Sequence, residues 1–376
     1  MTVPASWSKT PSGLPRARGI GLPFAGTPGA HNAITDVAGV EVGYCTLISG
    51  EGAMTVGQGP VRSGVTAIFP RGKARANHAV WAGAHSLNGN GEMTGAWWLE
   101  ETGRCELAIT VTNTHSCGLA RDASIQWAVQ HKLNEHGQDW GLPVAAETFD
   151  GHLNDINGFH VKAEHVWAAL DDARSGPLEE GSVGGGTGMN CYGFKGGSGT
   201  ASRLVEAAGG QWRVGAFVQA NFGRIQELTV AGVPVGLELA AHPEKYFETG
   251  GGGSIIVAIA TDAPLLPHQC KRLARRATLG IGRSGTIGRH SSGDIFLAFT
   301  TANGAALQES ATAVIGVETL PEAEMNPLFE GAIQAIDEAI LNALVANRTM
   351  VGRDGHRVPA LPTAPVLEML RAAGRI

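Results

Sequence analysis

A chain of 376 residues with 43% hydrophobic and 16% charged residues has ample material for a core and reads as an ordinary globular protein. Its net charge of −6 argues against nucleic acid or an anionic membrane as the main partner, and no apolar run approaches transmembrane length. The amino terminus lacks a basic region followed by an apolar core, so no signal peptide is expected, and five widely spaced cysteines suit reduced, buried thiols in a cytoplasmic protein.

The 54 glycines are about twice the usual share of roughly 7% and lie scattered through apolar segments, which predicts many tight turns and close backbone contacts. Residues 1–31 are rich in Pro and Gly and read as an extended arm. Residues 32–376 show no composition break and no internal repeat, so one α/β domain with helices covering sheets is the simplest account. Strands are expected over 32–46 with a turn near Gly39, then over 64–70, 79–87 and 107–112. A helix follows over 121–135, stopping near Gly137, then a strand over 143–149 and a helix over 161–173. The most glycine-dense region, 183–200, precedes a strand at 212–220. Near the end, Asn326-Pro327 reads as the start of a long helix whose apolar face is Phe329, Ile333, Ile336, Ile340 and Leu344.

The stretch around which the chain is organised is Gly250-Gly251-Gly252-Gly253-Ser254, running into Ile255-Ile256-Val257-Ala258-Ile259-Ala260. The apolar run has the length and β-branched content of a strand buried on both faces. Asp262 and Pro264 then read as the N-cap and first turn of a helix over 264–279, with a strand at 295–300 beyond. A Gly/Ser tract is commonly a linker, but a linker does not ordinarily lead straight into six core residues. The competing reading is self-cleavage, in which the Ser254 hydroxyl attacks the Gly253 carbonyl. Ser254 would then carry a free α-amine with a pKa of roughly 7.7–8.0, able to help activate its own hydroxyl.

Other segments admit both a functional and a structural reading. Ser292 and Asp294 could form a hydroxyl–carboxylate relay, or simply a turn. Asn221 at a strand end could donate to an oxyanion, or terminate the strand. Glu147 in an apolar run needs a partner, either a substrate ammonium or an internal Arg or Lys. The glycine loops lack the P-loop order, since Lys195 precedes its glycines, and neither His-Glu-x-x-His nor Cys-x-x-Cys is present, so no metal site is expected.

Several long segments, taken in order, resemble one family. They are 32–37 (Asn-Ala-Ile-Thr-Asp-Val), 64–68 (Gly-Val-Thr-Ala-Ile), 88–95 (Asn-Gly-Asn-Gly-Glu-Met-Thr-Gly), 112–116 (Thr-Asn-Thr-His-Ser), 184–189 (Gly-Gly-Gly-Thr-Gly-Met), Ser254-Ile255-Ile256 and 260–265 (Ala-Thr-Asp-Ala-Pro-Leu). Together they resemble the L-aminopeptidase/D-amidase-esterases and β-peptidyl aminopeptidases, which are self-processing N-terminal-nucleophile serine peptidases. The resemblance implies a four-layer α/β (α+β) sandwich, two β-sheets between helical layers, like N-terminal-nucleophile hydrolases but differently connected. It implies cleavage into 1–253 and 254–376, with Ser254 as nucleophile and Ser292 and Asp294 as its supporting hydroxyl and carboxylate. Asn221 falls on the oxyanion donor and Glu147 on the acid that receives the substrate's free amine. Phe149 stands where D-amidase members have a tyrosine, so a phenol's hydrogen bond is absent there. The implied substrates are short peptides and amino-acid amides or esters, handled without cofactor by a homo-oligomer, a tetramer of processed protomers. An ornithine-acetyltransferase-like acyl transfer and a non-enzymatic nucleotide-binding module with a Gly/Ser hinge are the alternatives, the former disfavoured because its nucleophile is as a rule threonine.

Overall fold

In the computed structural model, which describes residues 4–133, 140–242, 253–307 and 314–376, the run after Gly253 is a strand buried on both faces. Gly250, Gly251 and Gly252 lie outside the described residues, as do Glu135 and Gly137. The chain opens with one helical turn, α1 (Ala5–Ser8), and then runs irregularly across the body. β1 (Glu41–Ser49), β2 (Val61–Phe69), β3 (Val80–Gly89), α2 (Ala96–Thr102), β4 (Arg104–Cys105), β5 (Ile109–Asn113), α3 (Cys117–Gln130), β6 (Ala145–Thr148) and α4 (Ala163–Asp172) follow. Next come a small hairpin, β7 (Asn190–Cys191) and β8 (Phe194–Lys195), the long pair β9 (Gly197–Ala207) and β10 (Gly210–Asn221), and α5 (Val235–Ala240). Beyond Gly253 lie β11 (Gly253–Thr261), α6 (Pro267–Arg275), α7 (Ala277–Arg283) and β12 (Ser292–Thr300). The long α8 (Asn326–Val345), a hairpin of β13 (Met350–Val351) and β14 (Arg357–Val358), and α9 (Thr363–Ala372) complete the chain.

Two sheets organise these elements, in the orders β1-β2-β5-β6 and β4-β3-β12-β11-β10-β9. β5 with β6 and β11 with β12 are parallel, and the other neighbours in these sheets are antiparallel. β11 shows why its sequence is apolar throughout. Ile255, Val257 and Ile259 join the core under α6, α7 and α8, whereas Ile256, Ala258 and Ala260 meet the other sheet. α3 and α4 cover the outer face of the four-stranded sheet through Ala120, Ala123, Val166 and Leu170. The layer order is therefore helix, sheet, sheet, helix, as the resemblance implies.

At several places tertiary contacts override local propensity. Residues 34–36 form a 3-10 turn, and the strand expected over 32–46 begins only at Glu41. The strand β9 was hidden in the glycine-dense region: it is built of small residues because α8 lies against it, and a Cβ on Gly199 would stand 2.0 Å from Ala339 O. Asp262 does not cap a helix; its carboxylate accepts from the Arg213 amide and pairs with the Arg213 guanidinium at 3.0 Å. The helix expected from Pro264 starts at Pro267 and is broken into α6 and α7. α3 begins at Cys117, four residues before the expected start, after Asn113 Oδ1 accepts from the Ser116 amide. Asn326 lies inside α8 without capping it, and Ile333 is only half-buried.

The amino-terminal arm is tied down. Arg16 is buried and pairs with buried Glu180 at 2.6 Å, and Ala17 and Leu22 enter the core beneath α8. Glu338 of α8 is also buried and accepts from Arg18, Arg203 and Asn32. Removing one partner of such a buried set leaves an uncompensated charge, so the arm is part of the folded unit.

Candidate active site

The two sheets meet at an open end where β10 and β5 finish and β11 and β12 begin. Asn221, the last residue of β10, is the direct antiparallel partner of Ser254. Directly opposed residues share a face, with Cβ atoms about 4.5–5.5 Å apart. That face also carries Phe217 and Ile256, which point toward the four-stranded sheet. On its other side Ser254 is opposed by Gly293, whose amide donates to Ser254 Oγ at 3.3 Å. A side chain at Gly293 would collide with the loop after β3, its Cβ standing 2.3 Å from Asn90 O.

Backbone partners fix the orientation of the Asn221 amide. Its Oδ1 accepts from the Asn190 amide at 2.8 Å, and its Nδ2 donates to Phe149 O at 3.0 Å. One Nδ2 hydrogen is left over from these two contacts. The tie to Asn190 runs back to Lys195, whose fully buried ammonium donates to the Met189 and Gly196 carbonyls at 2.8 Å each.

Ser292 and Asp294 do form a hydroxyl–carboxylate pair, Ser292 Oγ donating to Asp294 Oδ1 at 2.6 Å. Asn88 Nδ2 donates to the second carboxylate oxygen at 2.9 Å. Burial raises the Asp294 pKa above the ordinary range, against the lowering effect of these donors and of the Ile255 amide. In register, Ser292 opposes Gly253 and Asp294 opposes Ile255, so both side chains leave the helix-facing side of the sheet, opposite to Ser254. The pair therefore approaches the backbone around Ser254 and not its hydroxyl.

Glu147 of β6 faces the same opening and is 3% exposed. Thr114 Oγ1 and the Glu92 amide donate to its two oxygens, no Lys or Arg among the described residues pairs with it, and the His115 imidazole is near enough to favour its charged form. Burial raises its pKa, opposed by those two donors. A Cβ placed on Gly91 would lie 3.2 Å from Glu147 Oε1 and 3.3 Å from Gly293 Cα, which sets how near the carboxylate comes to the strand beside Ser254. Glu147, Phe149, Asn221, Gly253 and Ser254 all line one cavity of about 560 Å³, within the usual range for ligand sites. Phe149 presents a half-exposed ring there. A larger cavity of about 730 Å³, between the amino-terminal segment and the β13 hairpin, contains none of these groups.

The sequence reading gave no role to Asn88, Thr114, Asn190, Gly293 or Arg353, all of which shape this end of the sandwich. Asn88 and Thr114 do fall inside segments that carried the family resemblance. The glycine loop at 184–186 is buried, and its Gly184 and Gly185 amides donate to Thr46 and Thr66 hydroxyls, which leaves no phosphate cradle there. All five cysteines are unpaired, and burial pushes the Cys105, Cys117 and Cys191 thiols up to about 12. Among the described residues no group of three or more His, Cys, Asp or Glu side chains is placed to hold a metal, and no helix is long and apolar enough to cross a membrane.

The model of peptidase family S58 matches residues 32–358. The sequence is 54% identical over 374 residues to the β-peptidyl aminopeptidase BapA of Sphingosinicella microcystinivorans, covering 96% of this chain and 93% of that protein. The solved L-aminopeptidase D-Ala-esterase/amidase of Ochrobactrum anthropi superimposes with a TM-score of 0.89 at 47% identity, over 96% of this chain and 99% of that one. That enzyme is described as a prototype for the serine aminopeptidases and a variant of the N-terminal-nucleophile hydrolase fold. A β-aminopeptidase from Burkholderia sp. superimposes with a TM-score of 0.86 at 48% identity, over 96% and 99% of the two chains.

Proposed function

The chain belongs to peptidase family S58 and is a serine aminopeptidase, and from that premise we propose that it matures by cleaving itself between Gly253 and Ser254. The observation that carries this reading is the placement of Ser254 at a strand start, opposed by Asn221 on one side and by side-chain-free Gly293 on the other. Ser254 Oγ attacks the Gly253 carbonyl, the acyl group moves from nitrogen to oxygen, and water releases residues 1–253 from 254–376. The new α-amine of Ser254, with a pKa of roughly 7.7–8.0, is the base for later turnovers.

In each turnover Ser254 Oγ attacks the carbonyl of the substrate's first residue and its proton passes to the α-amine. The free Nδ2 hydrogen of Asn221 supports the oxyanion. As the tetrahedral intermediate collapses, the ammonium returns the proton to the leaving amine, and water then hydrolyses the acyl-enzyme. Ser292 and Asp294 orient and polarise the amine from the other side of the sheet. Glu147 pairs with the substrate's own ammonium, which accounts for a carboxylate buried beside the cavity with no Lys or Arg among the described residues paired to it.

Substrates are short peptides and amino-acid amides or esters. The β-peptidyl relatives add amino-terminal β-residues to that class, and a phenylalanine at 149 in place of a phenol removes one donor from the acyl-residue side. Assembly as a tetramer of processed protomers and residence in the cytoplasm complete the proposal. The test is the intact mass of purified protein: two fragments starting at residues 1 and 254 for the native chain, and one uncut, inactive chain for Ser254→Ala. Hydrolysis of amino-acid p-nitroanilides by Ser254→Ala would reject the mechanism.

A further inference from the structure

The cavity beside Ser254 is electrically two-sided. Among the described residues that line it, Glu147 is the single carboxylate and Arg353 the single Lys or Arg. Arg353 sits on the tight turn between β13 and β14, and its backbone amide is held by Leu153 O at 2.9 Å. Its Nε donates to Gly151 O at 2.7 Å, and Nη1 contacts Met54 Sδ at 3.1 Å and, weakly, Asp354 Oδ2 at 3.5 Å. Nη2 has no protein partner among the described residues. The neighbouring His152 ring lies stacked on His356, 4.8 Å between centroids, and its pKa is lowered by burial and by the charges of His356 and Arg353. His152 is thus neutral near pH 7, and the guanidinium is the fixed positive charge of the cavity.

The order of these groups along one segment gives a ruler. Glu147 ends the acidic side, Phe149 O holds the Asn221 amide, and Gly151 O holds Arg353. Gly151 is four positions along the chain from Glu147, a span of at most about 14 Å. A ligand following this segment meets a carboxylate, then the oxyanion donor, then a guanidinium.

We propose that Arg353 is a specificity-determining residue that receives the terminal carboxylate of a short peptide whose amine is held by Glu147. The enzyme then reads both ends of its substrate, and the favoured class is the zwitterionic di- or tripeptide over amides and esters that lack a carboxylate. This rests on the assignment of Ser254 and Glu147 made above. The Nη2 group supplies the donors for that carboxylate, in a plane fixed by the Nε bond to Gly151 O, an orientation a flexible lysine does not reproduce.

The test compares native enzyme, Arg353→Gln and Arg353→Lys on three probes: a dipeptide, the same dipeptide amidated at its carboxyl end, and the p-nitroanilide of its first residue. Native enzyme is expected to prefer the free dipeptide to its amide by about tenfold or more in kcat/KM, the scale of one charged hydrogen-bonded contact. Arg353→Gln should lose that preference through KM, cleave itself normally and keep nitroanilide hydrolysis within about twofold of native, and Arg353→Lys should recover part of it. Equal losses on all three probes, or an unchanged preference in Arg353→Gln, would overturn the proposal. Failure of the underlying assignment looks different, because Ser254→Ala would then still hydrolyse the nitroanilide.

Discussion

Ser292 lies across from Gly253, not from Ser254, so the two serine hydroxyls leave opposite faces of one sheet. Ser292 and Asp294 oppose the residues on either side of Ser254, and Asp294 accepts from the Ile255 amide, so the pair borders the main chain at Ser254, where the proposed cleavage would create the α-amine. A carboxylate near an amine favours the ammonium and raises its pKa. Asp294→Asn, if it still processes, should move the amine-controlled limb of the kcat profile to lower pH, measured on p-nitroanilide between pH 5 and 9. An unshifted limb would detach the pair from the amine.

Asn221 offers one amide hydrogen to the cavity while its other two contacts hold it to Asn190 and Phe149. Removing a single oxyanion donor elsewhere costs about 10²–10³ in kcat. Asn221→Ala should show a loss of that order at steady state, with KM changed far less.

The carboxylate of Glu147 must be ionised to hold an ammonium, and burial raises its pKa above the ordinary glutamate value of about 4.3. Activity on free-amine substrates should accordingly fall as pH drops through that raised value. Glu147→Gln should abolish this acidic limb and lower kcat/KM by roughly 10- to 150-fold, the equivalent of about 1.5–3 kcal/mol for a charged contact. Amino-acylated substrates, which lack the ammonium, should be equally poor for both proteins.

Lys195 reports on folding stability. Burial lowers its pKa from 10.5 to about 7 in the folded chain, so between these values the unfolded state holds the extra proton. Its contribution to stability therefore rises with pH from about 7 to 10.5 and is least favourable below pH 7. The difference in denaturation free energy between native protein and Lys195→Met should follow that slope, about 1.4 kcal/mol per unit of displacement. A flat difference across the window would mean the ammonium is no harder to hold when folded than when unfolded.

What the sequence determined by itself was the chemistry on offer and its family. Ser254 before an apolar strand, Ser292 two residues from Asp294, Asn221 closing a strand and Glu147 in an apolar run were all readable, because these depend on local order and composition. So was the doubly buried stretch 255–260 of β11, since burial on both faces favours an unbroken apolar run. The tertiary structure alone decided how these pieces face one another. Register placed Asn221 and Gly293 beside Ser254 and sent Ser292 and Asp294 to the other face, and a one-residue slip would reverse that assignment. It also brought Thr114 and Arg353 to the site from distant segments, and turned a glycine tract into the strand beneath α8. Those outcomes depend on which backbones approach closely across the fold, a relation between residues far apart that no short stretch of chain encodes.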